Sequence, residues 1–302
     1  MKRRLEEVAG SGSVEINRTG RQGWGPGWDP ELPVREEQGL LAIAVTSGKG
    51  GVGKTNLVTN LAVLMAEMGR RVLLLDGDLS LANVDLLMGL IPRYNLYDVV
   101  MGRKRIDEVT LAGPADIRII PASSGVEEMA NLDDYRREVL VRSLEVMAKD
   151  RDVLLIDTGS GIHLQNLRLA QMADEILVVT TPEPTAFSDA YAIIKILSGR
   201  RLARPPRLVV NMVSTEAEGH RTARRVARVA RQFLGFEPEL YGVIPMDEVV
   251  PRAVKAQEPF VKVSQDAAAT VAVHALAQRL LQPSGTPTQV PRPQKQRVAR
   301  AA

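Results

Sequence analysis

The residues best suited to chemistry in this chain lie in one octet, Gly48-Lys49-Gly50-Gly51-Val52-Gly53-Lys54-Thr55. The octet satisfies G-x-x-x-x-G-K-[ST], a spacing whose glycines let backbone N–H groups converge on phosphate oxygens. A helix opening at its end would add the favourable dipole of an N-terminus. Lys54 is expected at the β- and γ-phosphates, and the Thr55 hydroxyl on Mg²⁺. Asn56, the next residue, joins them as a nucleotide-binding candidate. A magnesium nucleotide site also needs carboxylates at neighbouring strand ends. The run Val72-Leu73-Leu74-Leu75-Asp76-Gly77-Asp78 supplies two, and Val153-Leu154-Leu155-Ile156-Asp157-Thr158-Gly159 supplies one. The second run has the Walker B form, an apolar strand that presents Asp157 to the metal. Gly159 and Gly161 permit backbone approach to the γ-phosphate. A lone aspartate after a strand is most often a helix cap. Three of them beside a phosphate loop point to a metal and nucleotide site.

Other chemistry is excluded by composition. The 302 residues include no cysteine, which rules out disulfides, thiolate nucleophiles, iron–sulfur clusters and cysteine-ligated zinc. Three scattered histidines, His163, His220 and His274, do not suggest a metal cluster. No apolar run approaches the roughly 18 residues of a membrane span. The basic N-terminus lacks the apolar stretch of a secretory signal, so a cytoplasmic protein is expected.

The elements that must position the octet follow from apolar periodicity. Seven strands are expected, at Leu41–Val45, Arg71–Leu75, Ile117–Ile120, Val153–Ile156, Glu175–Val179, Leu208–Asn211 and Leu240–Val243. Several are solid Val/Ile/Leu runs, as in strands covered on both faces. Helices fill the gaps at Thr55–Met68, Asp134–Ala148, Ala186–Leu197 and Arg221–Leu234. Such alternation predicts an α/β fold, a doubly wound and mostly parallel sheet with helices on both faces. The domain is expected over residues 39–282. Residues 1–38 carry six glycines, three prolines and both tryptophans (Trp24 and Trp28) without periodicity, and read as a flexible tail. The glycine-flanked tryptophan pair suits either a docking motif or a patch lying on the domain. Residues 283–302, with four prolines, four basic residues and no acid, read as a disordered basic tail.

Lys49, the extra lysine in KGGVGKT, makes the octet resemble the deviant Walker A motif of the MinD/ParA ATPases. The similarity spans roughly residues 40–260. It takes in the acidic motif from Asp76 to Gly89, Asp157-Thr158-Gly159, Pro182-Glu183-Pro184-Thr185 and Gly242-Val243-Ile244-Pro245. By this resemblance the chain hydrolyses ATP with Mg²⁺ held by Thr55 and Asp157. Lys49 crosses to the phosphates of a partner subunit in an ATP-bound homodimer. Asp78 helps position the attacking water, Asn211 contacts adenine, and Pro245 lies in the loop beside the base. Within the family, LANVDLLMG, IDTGSGI and TTPEPTAFSDAYAIIK resemble the FlhG branch (FleN, YlxH), which controls flagellar number and placement. An FlhF-like GTPase or basal-body components are the partners this implies. The N-terminal tail lacks the D-Q-A-x-x-L-R activator motif of many FlhG proteins. Ser80 stands where glycine is usual, and Met246 replaces an acid. Alternatives are a partitioning or division-site ATPase and an ATP-dependent ligase or amidase for a small metabolite.

Two charged elements remain. Asp266–Gln282 occupies the place of the membrane-binding helix of MinD-type proteins, but it is alanine-rich with Arg279 as its single cation. It suits a terminal helix docked on the domain better than an interfacial one. With the basic tail it allows reversible attachment at the inner face of the cell membrane. Arg221, Arg224, Arg225, Arg228 and Arg231 recur on one helical face, with Val226, Val229, Ala230 and Phe233 expected toward the core. That face suits plain solvation, an acidic lipid, an acidic protein or nonspecific DNA.

Overall fold

The computed structural model describes residues 39–78, 82–123, 134–200 and 202–282. Both expected tails, the tryptophan pair and Ser80 fall outside these. The strands are β1 Leu41–Ser47, β2 Val72–Gly77, β3 Leu111–Ala112, β4 Arg118–Ile120, β5 Val153–Ser160, β6 Glu175–Thr180, β7 Arg207–Val213 and β8 Leu240–Pro245. They form one eight-stranded sheet in the order β3-β4-β2-β5-β1-β6-β7-β8. All pairings are parallel except β3 with β4.

Parallel strands linked by helical crossovers are covered on both faces, and the central strands are buried almost end to end. Successive side chains go to opposite sides. Ile43, Val45, Leu74 and Leu155 enter one core, with the helix Lys54–Glu67 and the C-terminal helix Ala268–Leu281. Ala42, Ala44, Leu73, Leu75, Leu154 and Ile156 enter the other, against the helices Asp134–Ala148, Pro184–Ser198 and Glu216–Leu234. Strand β1 lies between β5 and β6, and the chain runs from it toward opposite edges of the sheet. Ligands of open α/β sheets bind at such a switch point, beyond the carboxyl ends of the strands. The octet leaves β1 there.

All seven expected strands are present, and β3 is the additional one. Arg71 lies just outside β2, where its guanidinium pairs with Asp152 at 2.7 Å. The arginine helix begins at Glu216, earlier than expected, with Thr215 Oγ1 accepting the Glu218 amide at 3.2 Å. One orientation needs correction. Phe233 is 61% exposed, not core-facing, because in the last turn Ala230 and Leu234 fill the core contact and Phe233 lies at the border of that face, before Gly235 ends the helix in a left-handed conformation (φ 76°).

The C-terminal helix is docked. Ala269, Val273, Leu276, Ala277 and Leu280 are buried, while Arg279 donates to the Leu240 and Tyr241 carbonyls at 3.0 and 3.2 Å and pairs with Glu239. Its guanidinium lies 4.0 Å from the Tyr241 ring centre, and that of Arg207 lies 4.1 Å from it. The helix's one cation is therefore engaged inside the fold. Among the described residues no helix is long and apolar enough to cross a membrane.

Candidate nucleotide site

The octet forms the turn between β1 and its helix. Gly51 and Gly53 take φ of 80° and 82°, which residues with a Cβ rarely adopt. At Gly53 a Cβ would also come within 2.4 Å of the Asn211 amide nitrogen. Gly48 is limited by its neighbours, since a Cβ there would lie 2.2 Å from the Asp189 carbonyl oxygen in the helix Pro184–Ser198. The loop is braced from below by the Ser47 hydroxyl, which donates to the Lys49 carbonyl at 2.9 Å, and by the Gly161 amide on the Ser47 carbonyl at 2.8 Å.

The two lysines have different places. Lys54 is buried and reaches Asp157 at 2.6 Å and the Thr55 hydroxyl at 3.4 Å. Lys49 lies on the rim, 39% exposed, where its ammonium pairs with Glu183 at 2.5 Å and donates to Thr185 Oγ1 at 3.2 Å. Sequence reading quoted Glu183 and Thr185 only as part of a motif. The structure brings them to Lys49.

Asp76 and Asp157 sit side by side in the register of β2 and β5. Burial raises the Asp157 carboxyl above the usual range, against the pull of Lys54 and Thr55. Burial and the Asp157 charge together raise Asp76 to about 7. The Asp76 oxygens accept backbone N–H groups from Asp78 at 3.1 Å, Asn83 at 3.1 Å and Val84 at 3.2 Å. Asp76 thus ties Asp78 to Asn83 and Val84 within the acidic motif, while Asp78 stands half-buried with its charge felt at Asp157. Motif reading gives Asp78 a role of its own and counts Asp76 only as one of three strand-end acids. The solid apolar run before it was the available signal, since a carboxylate ending such a strand needs several donors.

Thr55 and Asp157 are within hydrogen-bonding reach of each other, and both offer hard oxygen atoms. No group of three or more His, Cys, Asp or Glu suited to a metal occurs among the described residues. Such a sparse set fits Mg²⁺, which keeps waters and shares phosphate oxygens, rather than a metal needing an all-protein cage.

Beside the loop is a cavity of about 240 Å³ whose walls include Gly53, Asn56, Asn211, Ile244, Pro245 and Phe260. Asn211 is aimed by an irregularity in β7, where Met212 takes φ 56° and the register with β8 shifts. Its amide donates to the Val52 carbonyl at 2.9 Å, leaving a further N–H and its oxygen for a base. Asp247 closes the wall, and its carboxylate accepts the amides of Val249 at 2.9 Å and Ala269 at 3.1 Å. Asn60, on the loop's own helix, accepts the Val261 amide at 3.1 Å. Both ties join the site to the C-terminal elements, and sequence reading missed them because each spans a long stretch of chain.

A glycine cradle on a switch-point strand, two acids at adjacent strand ends and an apolar slot beside the cradle define a P-loop nucleotide-binding protein. The rim position of Lys49 narrows this to the deviant Walker A kind. Residues 43–260 match the CobQ/CobB/MinD/ParA nucleotide binding domain, and the chain belongs to that family. It is 41% identical to the antiactivator FleN of Pseudomonas aeruginosa over 80% of this chain and 86% of that one. With the flagellum site-determining protein YlxH of Helicobacter pylori the identity is 31%, over 74% and 75%. The septum site-determining protein MinD of Pyrococcus horikoshii, solved with Mg-ADP, superposes with a TM-score of 0.69 at 26% identity, covering 81% of this chain and 97% of that one. MinD of Aquifex aeolicus, solved in complex with MinC, gives 0.67 at 26% identity, over 83% and 99%. The chain is an ATPase of the MinD/ParA family.

Proposed function

We propose that this ATPase is a nucleotide-switched spatial regulator that acts on flagellar number or placement as a homodimer sandwiching two ATP molecules. The observation that carries the dimer is the division of labour between the lysines. Lys54 occupies its own cradle, whereas Lys49 lies on the exposed rim with its ammonium turned to Glu183 and Thr185. A cation placed there is available to phosphates presented from outside. Likeness to FleN and YlxH supports the flagellar role.

In this reading residues 39–282 are the ATPase domain between two tails. The backbone from Gly48 to Gly53, with Lys54 and Asn56, binds the phosphates, while Asn211 and Pro245 border the base. Thr55 and Asp157 would hold Mg²⁺, which when bound neutralises phosphate charge. Asp78 orients the attacking water, and Lys49 of each subunit stabilises charge on the partner's nucleotide. Catalysis is then positioning and charge stabilisation. An FlhF-like GTPase or basal-body component is the partner, and attachment to the inner face of the cell membrane is transient. Asp78→Ala should bind Mg-ATP, turn over slowly and accumulate as a dimer. Light scattering at saturating Mg-ATP reads this directly, and a monomer would overturn the sandwich.

A further inference from the structure

Phe260, one wall of the cavity beside the phosphate loop, begins a helix of a single turn, Phe260–Val263. A helix this short does not hold itself together, and its N-cap, Pro259, supplies no side-chain bond. Apolar packing draws Phe260 inward but is non-directional, so it does not fix where the backbone sits. Lys262 pairs with Glu67 at 3.0 Å, yet both are exposed, and a surface pair contributes little. The buried tie is Asn60, 1% exposed, whose side-chain oxygen accepts the Val261 amide at 3.1 Å. Its amide nitrogen donates to the Asn56 carbonyl at 2.7 Å, and Asn56 lines the same cavity. One carboxamide thus clamps two walls together, across 201 residues of chain.

We infer that Asn60 is a positioning residue for the base of the nucleotide: by holding Phe260 at the cavity it sets affinity for the base and not for the phosphates. The inference rests on the reading of this cavity as the base slot. The side chain must donate on one face and accept on the other, which a carboxamide does. An ionised carboxylate of the same size would set an oxygen against the Asn56 carbonyl. A leucine would leave the Val261 amide buried and unpaired, which is costly. The hydrogen bonds of Asn60 among the described residues go to Asn56, Thr59 and Val261, and none reaches the loop glycines or Lys54. Loss of the clamp therefore loosens one wall of the slot and leaves the phosphate cradle as it is.

The test uses the full chain with Mg²⁺ and two ligands, ADP and inorganic pyrophosphate, which keeps the phosphates and drops the base. Calorimetry reads ADP, and competition against ADP reads pyrophosphate. Asn60→Leu and Asn60→Asp, both close to the parent in size, should weaken ADP by about threefold to tenfold, the worth of one hydrogen bond. Pyrophosphate should shift by less than about twofold. Asn211→Ala, which removes a base contact directly, should give the same split. Hydrogen exchange on the parent protein needs no variant to fold. Amides of Phe260–Val263 should exchange more slowly with ADP and not with pyrophosphate, since the base steadies the wall it touches. The inference is overturned if both Asn60 variants lose ADP and pyrophosphate equally, if they bind ADP like the parent, or if the two ligands slow exchange alike. Should Asn211→Ala show the split and the Asn60 variants not, the positioning role alone falls. Should none of them show it, the reading of the cavity as the base slot falls as well.

Discussion

At the scale of single residues, the two loop lysines should fail in different ways. Lys54→Ala removes a charged contact to the nucleotide of its own subunit, and calorimetry should show about a tenfold to hundredfold loss of affinity. It also strips the buried Asp157 of its cation, so the melting temperature should fall with it. Lys49→Ala removes only a rim ion pair with half-exposed partners and should change affinity little, while dimerisation and stimulated hydrolysis are lost. Equal affinity losses would make Lys49 a second local ligand. Asp76 carries a pH signature. Its carboxyl is raised to about 7 in the folded protein, so between about pH 4 and pH 7 the folded state binds a proton that the unfolded chain has released. Stability from this group is therefore present at acid pH and lost as pH rises through about 7. Asp76→Asn, which stays neutral, gives up one acceptor at every pH. Its melting temperature relative to the parent should still improve from pH 5 to pH 8, and a constant difference would refute the shift. The octet was legible in the sequence because phosphate binding imposes spacing, Asp157 because it ends a solid apolar strand, and Asn211 only through the family resemblance. Asp76 was legible as a strand-end acid, but its hold on the amides of Asp78, Asn83 and Val84 was not, because that comes from burial and from backbone folded back over it.

At the scale of elements, the contacts between helix and sheet decide which helices are fixed. Gly219 sits where the arginine helix crosses β8, and a Cβ there would lie 2.4 Å from a Val243 methyl. Gly219→Ala should cost about 1 to 3 kcal/mol in denaturant unfolding, by overpacking, even though alanine is the better helix former. A variant as stable as the parent would mean that the helix can ride outward. Long strands and helices were legible from their periodicity, since each has one apolar pattern. The two-residue β3 offers no pattern to read, and Phe233 lies at the border of its helix's apolar face, where Ala230 and Leu234 take the core contact instead. The C-terminal helix was legible as a docked element from its alanine content. The use of Arg279 on Tyr241 and two carbonyls was not, because those partners lie about forty residues earlier in the chain.

At the scale of the whole molecule, the sheet order places β1 at the switch point and the phosphate loop beyond its end. The fold class was legible because alternating apolar runs and amphipathic segments leave few topologies open. The close approach of Gly48 to the Asp189 carbonyl has a consequence of a different kind. There is no slack between the phosphate loop and the helix Pro184–Ser198, whose Phe187 and Tyr191 meet the arginine helix on the far side. Nothing can settle into that gap without pushing one body or the other. The two binding steps close a thermodynamic cycle, so whatever factor a ligand at the loop applies to binding at the helices must return unchanged to the ligand. The nucleotide and the partner would then each report on the other's grip, and titrating either one in the presence of the second would measure the same number.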